Sequence, residues 1–298
     1  NSFMSIQEQL RGTGVAIITP FTADEKVDYE ALGKVLDHII DHGVDYVVTL
    51  GTTGETPVLS KEEKINIIEA TYSHVNGRIP VVVGIGGNDT HQVATDLQTL
   101  PLAKATAVLS ASPYYNKPSQ EGIFQHYRYL AEKSPKPIIL YNVPGRTGKN
   151  MEAHTSLRLA TEVENIIGIK EASGNMQQCM EILKDRPAGF LVVSGDDALA
   201  LPQLACGMDG VISVAANPFP GEFSKMVTLC LQQDFKEAKK INDELMPAYN
   251  LMFAENNPAG VKAFLAEMGL IKNVLRLPAV PLSGELHQQV KSYCSKLV

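Results

Sequence analysis

Lys170 ends an apolar run, within Ile166–Ser173, that reads IIGIKEAS. Such a run predicts a strand buried on both faces, as in parallel sheets. An ammonium there is costly to desolvate, and the strand supplies no acceptor for it. Two readings fit. Either Lys170 turns into solvent or pairs with a carboxylate, as most charged residues do. Or it is held partly desolvated, so that its amine is neutral, nucleophilic and ready to form a Schiff base. Other stretches carry groups that this chemistry could use. Thr52 and Thr53 lie in GTTGE, Tyr114 and Tyr115 in SPYYN, Tyr141 and Arg146 in YNVPGR, and Gly195 in SGDD. Hydroxyls and phenols can relay protons. A guanidinium can bind both oxygens of a carboxylate. The backbone N–H groups of a GTTG loop suit a carboxylate or a phosphate, although Ser/Thr/Gly turns are common and this one reads equally as a plain β–α turn.

The elements that must position these residues follow from periodicity. Buried strands are predicted at Val15–Thr19, Tyr46–Leu50, Ile79–Val83, Thr106–Leu109, Pro137–Tyr141, Ile166–Lys170, Phe190–Ser194 and Gly210–Val214. A helix follows each. Asp28 caps the first, which turns Leu32, Val35, Leu36, Ile39 and Ile40 to one face. Ser60 and Glu63 form a capping-box signature for the second. Eight strand–helix units in a row favour a (β/α)8 TIM barrel, of class α/β, over an open doubly wound sheet. After Gln233 only helices are predicted, over Phe235–Asn250, Ala259–Met268 and Leu286–Leu297, with a turn at Asn256–Pro258. The expected organisation is a barrel over residues 1–233 and a small C-terminal helical appendage over 234–298. In such barrels the active site lies at the C-terminal ends of the strands. Thr52, Tyr115, Tyr141, Arg146, Lys170 and Gly195 all follow or end strands, so they converge on one rim.

The rest of the composition narrows the function. A net charge of −7 with no Lys/Arg run argues against a nucleic-acid binder. The cysteines, Cys179, Cys206, Cys230 and Cys294, form no CxxC pair and read as reduced core thiols of a cytoplasmic protein. No apolar run reaches the length of a membrane span. The N-terminus lacks a basic start followed by an apolar segment, so no secretion signal is expected; Asn1–Phe3 read as an addition ahead of Met4. The GTTG loop is not a Walker A loop, and Gly84–Gly87 fails the dinucleotide fingerprint because Asp89 stands at the third glycine. His38 and His42 have a metal-ligand spacing, but a barrel places their helix far from the rim, and solvated or core histidines are expected. Asp196-Asp197 is expected to cap a helix rather than hold magnesium. No metal site is expected.

The motifs GTTGE, SPYYNKPSQEG, YNVPGRTG, GIKEASG, SGDD and GVISVAAN, in this order, resemble the dihydrodipicolinate synthase family of pyruvate-dependent class I aldolases, which share the N-acetylneuraminate lyase fold. The likeness runs from about Gly14 into the C-terminal helices, where NPAGVK stands for the family's NPxPVK with Gly260 in place of the second proline. The resemblance implies a Schiff base with pyruvate, condensation with L-aspartate-4-semialdehyde on the diaminopimelate route to lysine, and no cofactor. Lys170 would form the Schiff base. Tyr141 would be the acid/base phenol, and Thr52 and Tyr115 would complete a proton relay, Tyr115 entering from a neighbouring subunit. Thr53 would hold the pyruvate carboxylate, Ile212 would offer its backbone carbonyl, Gly195 would line the substrate site, and Arg146 would bind the second substrate's carboxylate. The family also implies a homotetramer built as a dimer of dimers.

Two other functions compete. N-acetylneuraminate lyases and sugar-acid aldolases keep the lysine and tyrosine, but usually carry GSTGE and lack the arginine of GRTG. A non-catalytic binding barrel would not need an intact lysine, relay and arginine. Some family members bind lysine near the position of Tyr114, and Asn88 also matches that site. Here Lys61 and Lys64 replace histidines and Gln92 replaces a glutamate. Two added cations and one lost carboxylate make a poor cradle for a cationic ligand, so weak or absent lysine inhibition is expected.

Overall fold

The computed structural model describes residues 4–297; Asn1–Phe3 and residue 298 lie outside the described residues. Eight parallel strands close a barrel in sequence order, with β8 paired back to β1. They are β1 (Gly12–Ala16), β2 (Tyr46–Thr49), β3 (Val81–Gly84), β4 (Ala107–Ala111), β5 (Ile138–Asn142), β6 (Ile166–Glu171), β7 (Leu191–Ser194) and β8 (Gly210–Ser213). A short α1 (Ile6–Gln9) precedes β1. The connecting helices are α2 (Tyr29–Asp41), α3 (Lys61–Val75), α4 (Thr90–Thr99), α5 (Gln120–Lys133), α6 (Pro144–Thr147), α7 (Ala153–Glu162), α8 (Met176–Asp185) and α9 (Ala200–Ala205). After β8 come α10 (Pro220–Leu231), α11 (Phe235–Phe253), α12 (Ala259–Glu267) and α13 (Gly284–Ser295). This is the (β/α)8 barrel that the eight strand–helix units imply, followed by C-terminal helices.

Local chemistry accounts for most boundaries. Asp28 accepts the Ala31 N–H at 3.0 Å, and Ser60 and Glu63 bond each other's backbone N–H in a complete capping box. Ser119 caps α5 through the Gly122 N–H. The first strand departs from expectation: it starts at Gly12 rather than Val15 and ends at Ala16 rather than Thr19. The barrel closes here, and closure needs a backbone without side chains. A Cβ on Gly14 would meet the Tyr46 ring at 2.3 Å, and one on Gly210 would meet Gly12 O at 2.0 Å. Glycine weakens an isolated strand, so its close-packing role outweighed the apolar run that follows.

Alternation along the strands separates two apolar layers. Ala16, Val48, Val82, Leu109, Ile139, Val193 and Ile212 point into the lumen together with Tyr141, and Leu10 closes its base. The larger layer lies between barrel and helices, where Val47, Val83, Val108, Leu140 and Ile169 meet helical residues such as Leu36, Ile68 and Tyr127. Phe219, Phe264 and Tyr293 form an edge-to-face cluster with centroids 5.6–5.8 Å apart, which seats the C-terminal helices on the barrel. Among the described residues no helix is long and apolar enough to cross a membrane. Cys179 and Cys230 are buried as expected, but Cys206 is exposed in the turn after α9, so it is not a core thiol.

A forked ion pair ties the C-terminal segment to α3. Arg276 places its guanidinium on both Glu63 oxygens, at 2.6 and 2.8 Å, and on the carbonyls of Glu25 and Val58. This holds the Glu63 carboxyl down at about 2. A depressed carboxylate contributes stability above its unfolded value, lost as pH falls through the folded one. Arg276→Met is therefore expected to lower stability by about 2 kcal/mol at pH 7. The gap to the parent should narrow as pH falls from 4.5, the ordinary carboxyl value, towards 2. Urea unfolding across that range checks it; a gap independent of pH would show that the ion pair is not its source.

Candidate active site

The register of β5 and β6 sets Tyr141 opposite Lys170 and Asn142 opposite Glu171. Side chains in register share a face, so the first pair points into the lumen and the second pair outward. Lys170 is 6% exposed, and its Nζ stands 4.1 Å from the Tyr141 ring centroid. It belongs to none of the ion pairs found among the described residues. That excludes both forms of the first reading: the side chain neither reaches solvent freely nor pairs with a carboxylate. The face of a phenol ring attracts a cation but accepts no proton. Gly195 makes room for this lysine, because a Cβ there would lie 2.9 Å from Lys170 Cε.

Behind the lumen the outward pair is locked. Asn142 Nδ2 donates to Glu171 Oε1 at 2.8 Å, Gln178 Nε2 donates to Oε2 at 3.2 Å, and the Ser173 N–H donates to Oε1 at 3.1 Å. Burial raises the Glu171 carboxyl above its usual range, and the donated hydrogen bonds oppose that rise. Asp197 is a second buried carboxyl, pushed up to about 6 by burial. The helix cap expected of Asp196-Asp197 belongs to Asp196 alone, which accepts the Ala198 N–H. Asp197 instead accepts the N–H groups of Val214 and Ala215 and pins the loop after β8.

A cavity of about 810 Å³ opens over this face of the barrel. Thr52, Thr53, Tyr141, Arg146, Lys170 and Gly195 all line it. Thr53 is buried and accepts the Asn257 Nδ2–H at 2.8 Å. Arg146, in α6, reaches the Asn257 carbonyl at 3.3 Å. Two expected residues are not among those lining the cavity. Ile212 is buried in the lumen wall below it. Tyr115 is 88% exposed and has a left-handed backbone, φ +72°, which turns it away while its neighbour Tyr114 lines the cavity. Asn88 braces that loop, donating to Tyr114 O and accepting from Asn116.

Residues from the C-terminal helices also reach the cavity: Tyr249, Asn250, Phe253, Ala254 and Asn257. Periodicity puts Tyr249 and Asn250 on a predicted helix that runs on to Phe253 in the structure, and Asn257 in a turn, but gives no sign that any of them faces the site. The only signal was NPAGVK, which begins with Asn257. His38 and His42 are spent locally, on the carbonyls of Pro218 and His38.

The chain matches the model of the dihydrodipicolinate synthetase family over residues 9–297. The chain belongs to that family. The 4-hydroxy-tetrahydrodipicolinate synthase of Parabacteroides distasonis is 51% identical over 288 residues, 97% of each chain. Among solved structures, the dihydrodipicolinate synthase of Thermotoga maritima superposes with a TM-score of 0.94 at 36% identity, covering 97% of this chain and 98% of that one. The dihydrodipicolinate synthase of Acinetobacter baumannii, solved in complex with pyruvate, superposes at 0.93 with 38% identity, covering 96% and 98%. This member of the dihydrodipicolinate synthetase family therefore catalyses the 4-hydroxy-tetrahydrodipicolinate synthase reaction, a lyase step of diaminopimelate and lysine biosynthesis.

Proposed function

We propose that Lys170 forms a Schiff base with pyruvate and that the resulting enamine condenses with L-aspartate-4-semialdehyde. The observation that carries this is the lumenal pair: an amine with no ionic partner among the described residues, buried beside a phenol and lining a cavity of about 810 Å³. The amine adds to the keto carbon and water leaves, giving an iminium. The iminium is an electron sink, so a methyl proton can be lost and an enamine formed. The enamine carbon then attacks the aldehyde, whose oxygen takes up a proton. Tyr141 stands beside Lys170 for these transfers, and Thr52 also lines the cavity. Thr53 holds the pyruvate carboxylate, Gly195 keeps the wall beside Lys170 open, Ile212 offers its backbone carbonyl, and Arg146, which lines the cavity, takes the carboxylate of the semialdehyde. Given pyruvate and one aldehyde at a time, the protein is expected to consume the semialdehyde and leave N-acetylmannosamine untouched. The reverse preference would make it a neuraminate lyase.

The relay's third member, Tyr115, is 88% exposed and absent from the wall of its own cavity, which fits a phenol that enters a neighbouring subunit's site. This supports a homotetramer made of two dimers, in which each dimer exchanges Tyr115 across its interface. Tyr115→Phe is expected to lower kcat about tenfold or more with the oligomer intact by sedimentation. Undiminished turnover would remove Tyr115 from the relay. The chain divides into a catalytic barrel, 1–233, and a helical unit, 234–298, and it works in the cytoplasm.

Lysine is expected to inhibit weakly or not at all. Lys64 lines the cavity, as do Pro57 and Tyr114, and Lys61 lies one turn away, exposed on α3. A lysine ligand would meet these like charges. Half-inhibition at millimolar lysine or below would contradict this.

A further inference from the structure

Lys262 is completely buried on α12. Its Nζ donates to Glu55 Oε2 at 2.5 Å and to Val274 O at 2.9 Å, and lies 4.3 Å from the centroid of the Phe21 ring. Glu55 is 5% exposed and its second oxygen accepts the Arg276 backbone N–H at 3.1 Å. Nothing in the chemistry above uses this pair, and burying two charges is expensive even when they meet. Its place in the chain suggests a use. Glu55 ends the GTTGE loop in a left-handed conformation, φ +56°, joining the 3-10 turn Thr52–Gly54 to the turn Thr56–Val58. Lys262 arrives from the far end of the chain, five residues after Asn257, which itself bonds Thr53. The approach of α12 is tight: a Cβ on Gly260 would lie 2.4 Å from Leu251 O. Burial draws the Lys262 ammonium down to about 8, still charged at neutral pH.

We propose that the buried Lys262–Glu55 pair is a positioning device through which the C-terminal helices set the GTTGE loop, and hence Thr53, against the carboxylate of pyruvate. The proposal rests on the reading of Thr53 as the carboxylate's partner. A single Lys262→Met change would strand the Glu55 charge in the interior and is expected to destabilise the fold. Removing both charges avoids that, because apolar residues of similar volume often replace a buried ion pair without loss of stability. The double variant Glu55→Leu/Lys262→Met strands no charge and loses only the hydrogen bonds to the Arg276 N–H and Val274 O, so it is expected to melt below the parent but above the single Lys262→Met variant. Its KM for pyruvate should rise about tenfold, well beyond any fall in kcat. Thr53→Val should raise the same KM by a similar factor. Combining all three changes should add little further, since both act through one contact.

A double variant that folds with an unchanged pyruvate KM, while Thr53→Val raises it, overturns the proposal and leaves the role of Thr53 standing. Full additivity of the three changes also overturns it, since that is what an independent structural effect would give. An unchanged KM in Thr53→Val defeats the reading of Thr53 and the proposal with it. If the double variant does not fold, Glu55→Gln is judged by the same outcomes; it keeps the shape and an acceptor, and a pyruvate KM rise of about threefold is expected.

Discussion

Lys170→Ala is expected to lower kcat by about three orders of magnitude or more. The whole proposed reaction passes through a covalent bond to this nitrogen, and among the described residues no other lysine stands in the lumen beside Tyr141. Water or a free amine could replace the nucleophile only without its alignment, and alignment is a large part of the advantage. Stability should not fall in parallel. Lys170 has no ionic partner to strand, and its truncation enlarges a cavity that is already there, although its stem packs against Gly195 and the Tyr141 ring. The variant is thus expected to melt at or slightly above the parent's temperature, as happens when a functional burden is removed. Steady-state kinetics beside a thermal melt separates the two effects. An inactive protein that was also unfolded would leave the role of Lys170 unsupported.

Tyr141→Phe should cost about 10²-fold in kcat, with a smaller change in the KM for pyruvate. The substitution keeps the ring, and so keeps both the contact with Lys170 and the lumenal packing around Ile139 and Val193. Only the hydroxyl is lost. Schiff-base formation should then slow rather than stop, so reductive trapping would still label the protein, at a lower rate. A kcat within threefold of the parent would move the proton transfers to another group lining the cavity, such as Thr52.

Much of the fold was legible because its signals are local. Each β–α unit announces itself by an apolar run, several also by a cap, and the Ser60–Glu63 box and the Asp28 and Ser119 caps are all made by neighbours in sequence. The first strand was misplaced because glycines read as strand-breakers until their partners, Tyr46 and Gly210, are known. The rim residues were legible for a similar reason: in a parallel barrel, whatever follows a strand lies on the active face. Contacts that join distant parts of the chain could not be read this way. Asn257 meets Thr53 and Lys262 meets Glu55 across about two hundred residues, and no periodicity marks either pair. Asp197 was misread because a carboxylate at a helix start suits a cap, and only the fold brings the β8 loop's N–H groups to it. The relay role proposed for Tyr115 rests on resemblance alone, since the residue is 88% exposed and does not line the cavity.

The central claim is that a single amine becomes covalently attached to pyruvate. Mass spectrometry after borohydride reduction in the presence of pyruvate tests it directly. The digest should carry one adduct, of pyruvate less water plus two hydrogens, on the peptide containing Lys170, and Lys170→Ala should carry none there. A protein that turns over both substrates yet stays unlabelled at Lys170, or is labelled at another lysine, would contradict it.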